Sequence, residues 1–178
     1  MKFFETTLNG AFKIELEKFE DERGFFARVW DYEKFYQMGL DNKILHCNIS
    51  FTIKKGSIRG LHYQLEPYSE TKLIRCTRGK IYDVIIDLRI DSSSYLQWFS
   101  IELRSSNYEM LYVPKGFAHG FQTLEPNTEV YYQNSQIHAP KYENGIKWND
   151  PTFNIKWPLK PTSISKKDMN WKDCELKT

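Results

Sequence analysis

The sequence lacks the cysteine patterns that stabilise small secreted domains or bind structural zinc. Its three cysteines, Cys47, Cys76 and Cys174, are far apart and odd in number, and no Cys-x-x-Cys pair occurs. Neither a disulfide framework nor a zinc ribbon is therefore indicated. The N-terminal region also lacks an apolar run as long as that of a signal peptide. We expect a reducing, cytoplasmic location.

Long hydrophobic runs and concentrated positive charge are also missing. No segment approaches the ~18 consecutive apolar residues that a membrane-spanning helix needs. The 25 basic and 23 acidic residues nearly cancel, and no basic run is longer than a Lys-Lys pair. A nucleic-acid-binding surface would usually require a cluster or stripe of basic residues. The sequence therefore predicts no membrane segment and no nucleic-acid partner.

Internal repeats, low-complexity segments and Gly/Ser/Pro-rich linkers are absent as well, so nothing in the sequence divides the chain. With 40% apolar and 16% aromatic residues, the chain can form a packed core. Its length of 178 residues fits one domain. We expect residues 1–178 to form a single domain.

The clearest secondary-structure pattern lies between Lys72 and Arg89. Gly79 separates two runs of β-forming residues and predicts a hairpin turn. After Gly79, apolar residues at 82, 84, 86 and 88 alternate with a mixed set at 81, 83, 85 and 87 that includes two aspartates. This period of two indicates a strand. Its mixed face fits the interior of a ligand-holding barrel and fits a half-exposed sheet face equally well.

Further short strands are predicted over residues 97–103, 110–113, 118–124 and 129–133, at a spacing typical of all-β folds. One helix is predicted between Asp31, which can cap it, and Gly39, which can end it. A second short helix is predicted over residues 165–171, within an otherwise irregular C-terminal third. We expect an all-β fold, a jelly-roll-type double sheet with a few short peripheral helices.

Several side chains could supply acid–base chemistry near the strand ends. His62 lies in the run SIRGLHYQ, Lys72 follows ten residues later, and His119 lies in VPKGFAHGF. Together they could provide a base, an oxyanion stabiliser and an anion clamp. Each residue alone is weak support. A single histidine is more often structural, Lys72 could be a solvated lysine, and Tyr132 could belong to the core.

The order of the motifs points to a known family. The run PKGFAHG matches the second motif of the cupin superfamily, P-x-G-x-x-H. The chain also carries, in order, the runs DERGFF, N-x-S, GSIRGLHYQ, KLIRCTRGKIYDVIIDLR, YVPKGFAHGF, WNDP and SKKD. It closely resembles the dTDP-4-dehydrorhamnose 3,5-epimerase family over nearly its whole length. The resemblance implies a cupin-type jelly-roll sandwich or barrel and a metal-free epimerase acting beside the C4 ketone of a nucleotide-diphosphate 4-keto-6-deoxy sugar.

The resemblance also implies roles for five catalytic residues. His62 matches the base that removes the proton at C3 or C5, and Asp168 matches the acid paired with it. An alternative for Asp168 is a helix cap in SKKD. Lys72 resembles the lysine beside the C4 oxygen, where a cation stabilises the developing enolate. Tyr132 matches the tyrosine that returns a proton from the opposite face. His119 resembles a second histidine near the sugar, or alternatively stabilises the Gly116–Gly120 turn.

The substrate-binding residues implied by the resemblance include two arginines. Arg59 and Arg23 resemble those that bind the pyrophosphate, a role suited to the guanidinium fork. In the family the residue at the position of Arg23 comes from the neighbouring subunit, so a homodimer is implied. Phe26, Asn48 and Gln64 lie in the matching motifs and complete this part of the expected site.

Four positions depart from the family pattern. Arg28 stands where many members have a glutamate near the nucleotide base, and His46 where they often have glutamine. His138 replaces a tyrosine near the sugar ring, and Glu70 replaces a frequent glutamine. Thymidine remains the default expectation for the nucleotide base. Two alternatives for the reaction are left open. The enzyme could invert both C3 and C5, or could invert one of them on a dTDP-, GDP- or CDP-linked sugar.

Cofactors are not expected. Metal-binding cupins usually take two histidines from an H-x-H run, whereas this chain has His62-Tyr63-Gln64. Two histidines fall short of the three protein ligands typical of a catalytic zinc site, and no Gly-x-Gly-x-x-Gly run predicts a nicotinamide site. Two rival functions remain: a carbohydrate-binding module on the same fold, and a metal-dependent cupin oxygenase or isomerase.

Overall fold

A computed structural model describes residues 1–174 of the chain, and these residues form mostly antiparallel strands. The two helices of these residues are α1 (Tyr32–Gln37) and α2 (Lys166–Met169). Within residues 1–174, no helix is long and apolar enough to span a bilayer. The strands are β1 (Lys2–Glu5), β2 (Phe12–Glu15), β3 (Lys18–Asp21), β4 (Gly24–Ala27), β5 (His46–Thr52), β6 (Ser57–Gln64), β7 (Lys72–Arg78), β8 (Lys80–Asp87), β9 (Trp98–Arg104), β10 (Met110–Val113), β11 (Phe117–Thr123), β12 (Thr128–Asn134), β13 (Glu143–Gly145) and β14 (Ser163–Ile164).

Two sheets form a sandwich around a shared apolar core. The first sheet has the order β1-β2-β10-β7-β12-β5, and the second has the order β13-β6-β11-β8-β9 with β14 parallel to β6. The core between them includes Ile74 and Val130 of the first sheet and Ile81, Ile85 and Phe121 of the second, all 2% exposed or less. The prediction of an all-β, jelly-roll-type double sheet is confirmed.

Each sheet is also covered on its outer side. Helix α1 places Phe35 against Ile14 and Met110 of the first sheet, and Asp31 caps this helix by accepting a hydrogen bond from Lys34 N at 3.1 Å. The irregular C-terminal segment places Phe153 against the second sheet. The capped helix and the irregular character of the C-terminal segment were predicted from the sequence.

The hairpin turn predicted at Gly79 is wrong. Strand β7 belongs to the first sheet and β8 to the second, so Gly79 is the corner at which the chain crosses between sheets. Its φ of +78° suits glycine at either kind of turn. Local sequence patterns therefore do not distinguish a hairpin from a crossover. Both faces of β8 are buried, and the mixed face, with Asp83 and Asp87 fully buried, points into the sandwich.

Candidate active site

A cleft of about 690 Å³ opens between the two sheets. This volume lies within the usual range for small-molecule sites. Ten of the thirteen site residues predicted from the sequence line the cleft: His46, Asn48, Arg59, His62, Gln64, Lys72, His119, Tyr132, His138 and Asp168. Residues from the two halves of the chain are thus brought together.

His62 and Asp168 form a hydrogen-bonded pair on the wall of the cleft provided by the second sheet. The distance from His62 Nε2 to Asp168 Oδ1 is 2.6 Å, and Gly60 N donates to Asp168 Oδ2 at 3.2 Å. The cap of α2 is Ser165, whose hydroxyl accepts a hydrogen bond from Asp168 N at 3.0 Å. The alternative of Asp168 as a helix cap is therefore wrong, because its carboxylate points at β6.

The charge of Asp168 determines which nitrogen of His62 carries the proton. Burial acts to raise the pKa of Asp168, but the hydrogen bonds from His62, Gly60 and Ser165 outweigh it and leave this pKa below its ordinary value. An ionised carboxylate can only accept hydrogen bonds, so His62 Nε2 carries the hydrogen. The lone pair is then on Nδ1, the nitrogen suited to remove a proton.

Replacing Asp168 by asparagine should reduce both the catalytic rate and the free energy of unfolding. An amide that accepts from Gly60 N turns its NH₂ toward His62 and favours the wrong tautomer, so proton transfer should fall by about 10²–10⁴-fold. Losing a charged hydrogen bond should lower the unfolding free energy by roughly 1–3 kcal/mol.

The stability effect of Asp168→Asn should depend on pH in a defined direction. Because the folded-state pKa is lowered, the wild-type advantage should be complete above the unfolded pKa of about 3.9 and should vanish as pH falls through the folded pKa. Denaturant unfolding of both proteins between pH 3 and 7 measures this. A difference in stability that stays constant down to pH 3 would contradict the assigned charge state.

His119 forms a second, more deeply buried pair with Asp83. The distance from His119 Nε2 to Asp83 Oδ1 is 2.7 Å, and the two side chains are 7% and 0% exposed. His119 lies within β11, so the alternative of a turn-stabilising histidine is wrong. Asp83 was not predicted as a site residue, although the mixed face of β8 indicated buried carboxylates.

The two histidines lie side by side because β6 and β11 approach closely. His119 is the cross-strand partner of His62. A Cβ atom on Gly60 would lie 2.7 Å from the Cα atom of Gly120, so this approach requires glycine. The run IRGLHYQ and the motif around PKGFAHG therefore meet in space, one strand beside the other.

Lys72 is held by two acceptors at the edge of the cleft. Its Nζ donates to the carbonyl oxygen of His62 at 3.3 Å and lies 3.4 Å from Glu70 Oε1. Asn134 Nδ2 donates to the other oxygen of Glu70 at 2.8 Å, and Asn48 Nδ2 donates to Asn134 Oδ1 at 3.1 Å. Glu70 and Asn134 thus position the cation, and neither was predicted to do so.

Tyr132 lies on the wall opposite His62. It belongs to β12 of the first sheet, whereas His62 belongs to β6 of the second, and both line the same cleft. The Tyr132 hydroxyl has no hydrogen bond to any of residues 1–174, which leaves it available to a ligand. A substrate in the cleft would therefore have an imidazole on one side and a phenol on the other.

The predicted binding residues differ in how they are held. Arg59 donates to Thr52 Oγ1 at 2.9 Å and to the carbonyl oxygen of Phe51 at 3.2 Å, which orients its guanidinium. Gln64 is 5% exposed, and its amide bonds to backbone groups of Tyr68, Ile137 and Ala139. Gln64 thus ties the backbone at Tyr68 to the backbone of residues 137–139 beside the cleft.

The mouth of the cleft carries two charged residues that were not predicted, Glu143 and Lys167. Lys167 Nζ lies 2.5 Å from Glu143 Oε1, and the predicted residue His138, 60% exposed, lies 3.3 Å from Glu143 Oε2. Burial acts to raise the pKa of Glu143, but Lys167, His138 and His62 outweigh it and lower this pKa. His46 and Asn48, on β5, also border the cleft.

Three predicted residues lie away from the cleft of the same chain. Arg23 and Phe26 belong to the β3–β4 hairpin, where Arg23 contacts Asp21 and Phe26 is 67% exposed. Arg28 follows the hairpin and pairs with Asp31 at 2.7 Å. The hairpin is separate from both sheets, and the substrate-binding roles of Phe26 and Arg28 remain predictions. The predicted contribution of Arg23 to a neighbouring subunit remains a prediction.

Residues 1–174 contain no group of three or more His, Cys, Asp or Glu side chains placed to hold a metal ion. Two of the histidines that line the cleft are closely paired with a buried carboxylate: His62 with Asp168, and His119 with Asp83. The arrangement is suited to moving protons, since each carboxylate fixes one ring nitrogen and leaves the other.

Several named proteins are similar to this chain in both sequence and fold. The family model for dTDP-4-dehydrorhamnose 3,5-epimerase matches residues 5–175. The protein of that name from Methanothermobacter thermautotrophicus is 40% identical over 174 residues, which cover 96% of this chain and 93% of that protein. The crystal structure of the Bacillus anthracis dTDP-4-dehydrorhamnose 3,5-epimerase with TDP and PPi bound is 39% identical, with a TM-score of 0.93 and coverage of 97% and 99%. The Legionella pneumophila dTDP-6-deoxy-D-glucose-3,5-epimerase in complex with dTDP-4-keto-L-rhamnose is 32% identical, with a TM-score of 0.90 and coverage of 97% and 92%.

Proposed function

The chain belongs to the dTDP-4-dehydrorhamnose 3,5-epimerase family, and we propose that it inverts both C3 and C5 of a dTDP-linked 4-keto-6-deoxy hexose. One observation carries this proposal. The His62–Asp168 pair and Tyr132 face each other across one cleft, with Lys72 beside them. The product fits deoxysugar biosynthesis such as the dTDP-L-rhamnose pathway, which supplies surface polysaccharides. A cytoplasmic location stays a prediction from the sequence.

The first step is removal of a proton beside the ketone. Nδ1 of His62 takes the proton from C3 or C5, and the electron pair moves onto the C4 oxygen to form an enolate. The ammonium group of Lys72 stabilises this charge. Asp168 stabilises the imidazolium that forms, since the ring then donates from both nitrogens. The ketone is already present in the substrate, so this step uses no redox cofactor.

The second step returns a proton from the opposite face of the ring. Tyr132 donates its hydroxyl proton to the carbon, the enolate electron pair forms the new C–H bond, and the C4 ketone is restored. The Tyr132 phenolate then takes a proton from water and the His62 imidazolium releases its proton to water, which returns both groups to their starting states. His62 alone could only replace the proton on the face from which it came. Inversion therefore depends on donors on both walls, and their origin in opposite sheets supplies this arrangement.

A homodimer is part of the proposal. The β3–β4 hairpin presents Phe19 and Phe26, 69% and 67% exposed, and Arg23 lies at its turn. Strand β5 is one edge of the first sheet; Ile49 on this strand and Ile53 just after it are 64% and 69% exposed. Exposed apolar surface of this kind is typical of an interface. We assign the hairpin to the cleft of a second copy, where Arg23 binds the pyrophosphate.

A second candidate function is inversion at a single carbon, and His138 favours it. This residue replaces the tyrosine that family members commonly have near the sugar. An exposed imidazole bonded to Glu143 offers a ligand a smaller, more mobile surface than a phenol. A sugar held less firmly beside His138 could expose one of the two carbons, C3 or C5, to His62 and not the other.

Incubation of dTDP-, GDP- and CDP-linked 4-keto-6-deoxy sugars in D₂O tests the function. We expect deuterium at both C3 and C5 of the dTDP sugar, detected as the loss of two ¹H signals by NMR. Deuterium at one carbon would instead support single inversion. Binding without incorporation for every sugar would support a carbohydrate-binding module. Activity lost to a chelator and restored by iron, nickel or manganese would support a metal-dependent cupin.

A further inference from the structure

Trp171 contacts the ring of His62. The two ring centroids are 6.2 Å apart, with an interplanar angle of 69°, which is an edge-to-face arrangement. Trp171 follows Asp168 by three residues. The same short segment thus delivers both the carboxylate that bonds one nitrogen of the imidazole and the indole that packs against its ring.

The space for this indole exists because residue 145 is glycine. Gly145 is the cross-strand partner of His62 in the β13–β6 pair, so any side chain at 145 would stand beside the imidazole. A Cβ atom added to Gly145 would overlap the Trp171 indole, lying 2.5 Å from its Nε1. The indole therefore occupies the place of the missing side chain, next to the proposed base.

Trp171 does not border the substrate cleft. It lines a separate cleft beyond the β6–β13 pair, together with Leu65, Leu88, Tyr95 and Ile146. Its Nε1 is buried and has no hydrogen-bond partner among residues 1–174. The indole packs against Gly145 and His62, and Lys167 Nζ lies over its ring at 5.7 Å from the centroid. Of these contacts, the one with His62 leads directly to the proposed base.

We propose that Trp171 is a positioning residue that holds the imidazole of His62 in the orientation for proton transfer. The bond to Asp168 fixes Nε2 but leaves the ring free to rock about that bond. The indole blocks this motion on the side away from the substrate. The direction of Nδ1 is then set by Asp168 and Trp171 together. This inference rests on the proposed function, because it assumes that His62 is the base.

Kinetics of Trp171→Ala should show a specific loss. A misdirected base can cost up to about 10²-fold, so we expect kcat for deuterium exchange to fall by about 10–100-fold. KM should change by no more than about twofold, since no binding contact is removed. Trp171→Phe should restore most of the rate, because a benzene ring can still pack on Gly145. Gly145→Ala, which displaces the indole, should reproduce the loss.

Trp157 provides a matched control. It is another tryptophan of the C-terminal segment and packs edge-to-face on Tyr82 at 6.1 Å, with Nε1 donating to the carbonyl oxygen of Trp148. Trp157→Ala should lower Tm without changing kcat. If Trp157→Ala and Trp171→Ala reduce kcat equally, or if Trp171→Ala leaves kcat unchanged, Trp171 has no positioning role.

NMR of the ¹⁵N-labelled His62 ring provides a readout that needs no substrate. We expect a single sharp tautomer protonated at Nε2 in the wild type and in Trp171→Phe, and resonances broadened by motion in Trp171→Ala. His62 ring resonances that stay as sharp in Trp171→Ala as in the wild type, with the same tautomer, would overturn the inference, whichever sugar the enzyme uses. A wild type that exchanges no deuterium from any sugar would instead refute the proposed function, while the ring resonances would still decide whether Trp171 orders His62.

Discussion

His62→Ala should abolish deuterium exchange at both C3 and C5 while leaving dTDP binding nearly unchanged. In the proposed mechanism His62 Nδ1 is the base for both carbons, and a general base typically contributes 10²–10⁴-fold. We therefore expect a loss of about 10³-fold or more. The nucleotide end of the substrate is assigned to Arg59 and to the partner's hairpin, so the Kd for dTDP should change little. Exchange is measured by NMR and binding by calorimetry.

The control for this variant has to separate loss of the base from loss of folding. His62→Ala leaves the buried carboxylate of Asp168 without its partner, which is destabilising in itself. His62→Gln places an amide N–H near the position of the imidazole Nε2, where it can donate to Asp168, but provides no base. Both variants should lose exchange, with His62→Gln closer to wild type in Tm. Full residual exchange in either folded variant would remove His62 as the base.

The elements that the sequence predicted are those with strong local patterns. Strand β10 was predicted with its observed bounds, and β9, β11 and β12 within one residue at each end. The capped helix α1 was also predicted. At Gly79 the same local pattern led to a wrong turn, because the choice between a hairpin and a crossover depends on strands far away in the chain.

The pairs that build the site are long-range, and this limited what the sequence could reveal. His62 and Asp168 are 106 residues apart, and His119 and Asp83 are 36 apart. The first pairing was predicted only from the family resemblance. Trp171 was seen only as part of a possible helix, because its importance depends on the glycine opposite His62. Residues on the β3–β4 hairpin could not be placed from one chain, since their proposed site belongs to another copy.

Tyr132→Phe should slow net inversion far more than it slows exchange. Without the phenol, His62 can still remove and replace a proton from its own face, so deuterium should enter the substrate within about tenfold of the wild-type rate. Delivery from the opposite face loses its donor, and formation of the inverted sugar should fall by about 10²–10⁴-fold. Time courses in D₂O that follow deuterium content and stereochemistry in the same sample measure the two rates together.

Tyr131→Phe is the matched control, since Tyr131 is the neighbouring residue on β12 and its side chain alternates to the other side of the sheet. Both rates should be unchanged in this variant. The Tyr132 hydroxyl has no hydrogen bond to residues 1–174, so its removal should not weaken the fold. A selective loss of inversion would therefore reflect chemistry at the opposite wall. Equal losses of exchange and inversion in Tyr132→Phe would mean that Tyr132 supports enolate formation itself, and the two-wall division of labour would have to be abandoned.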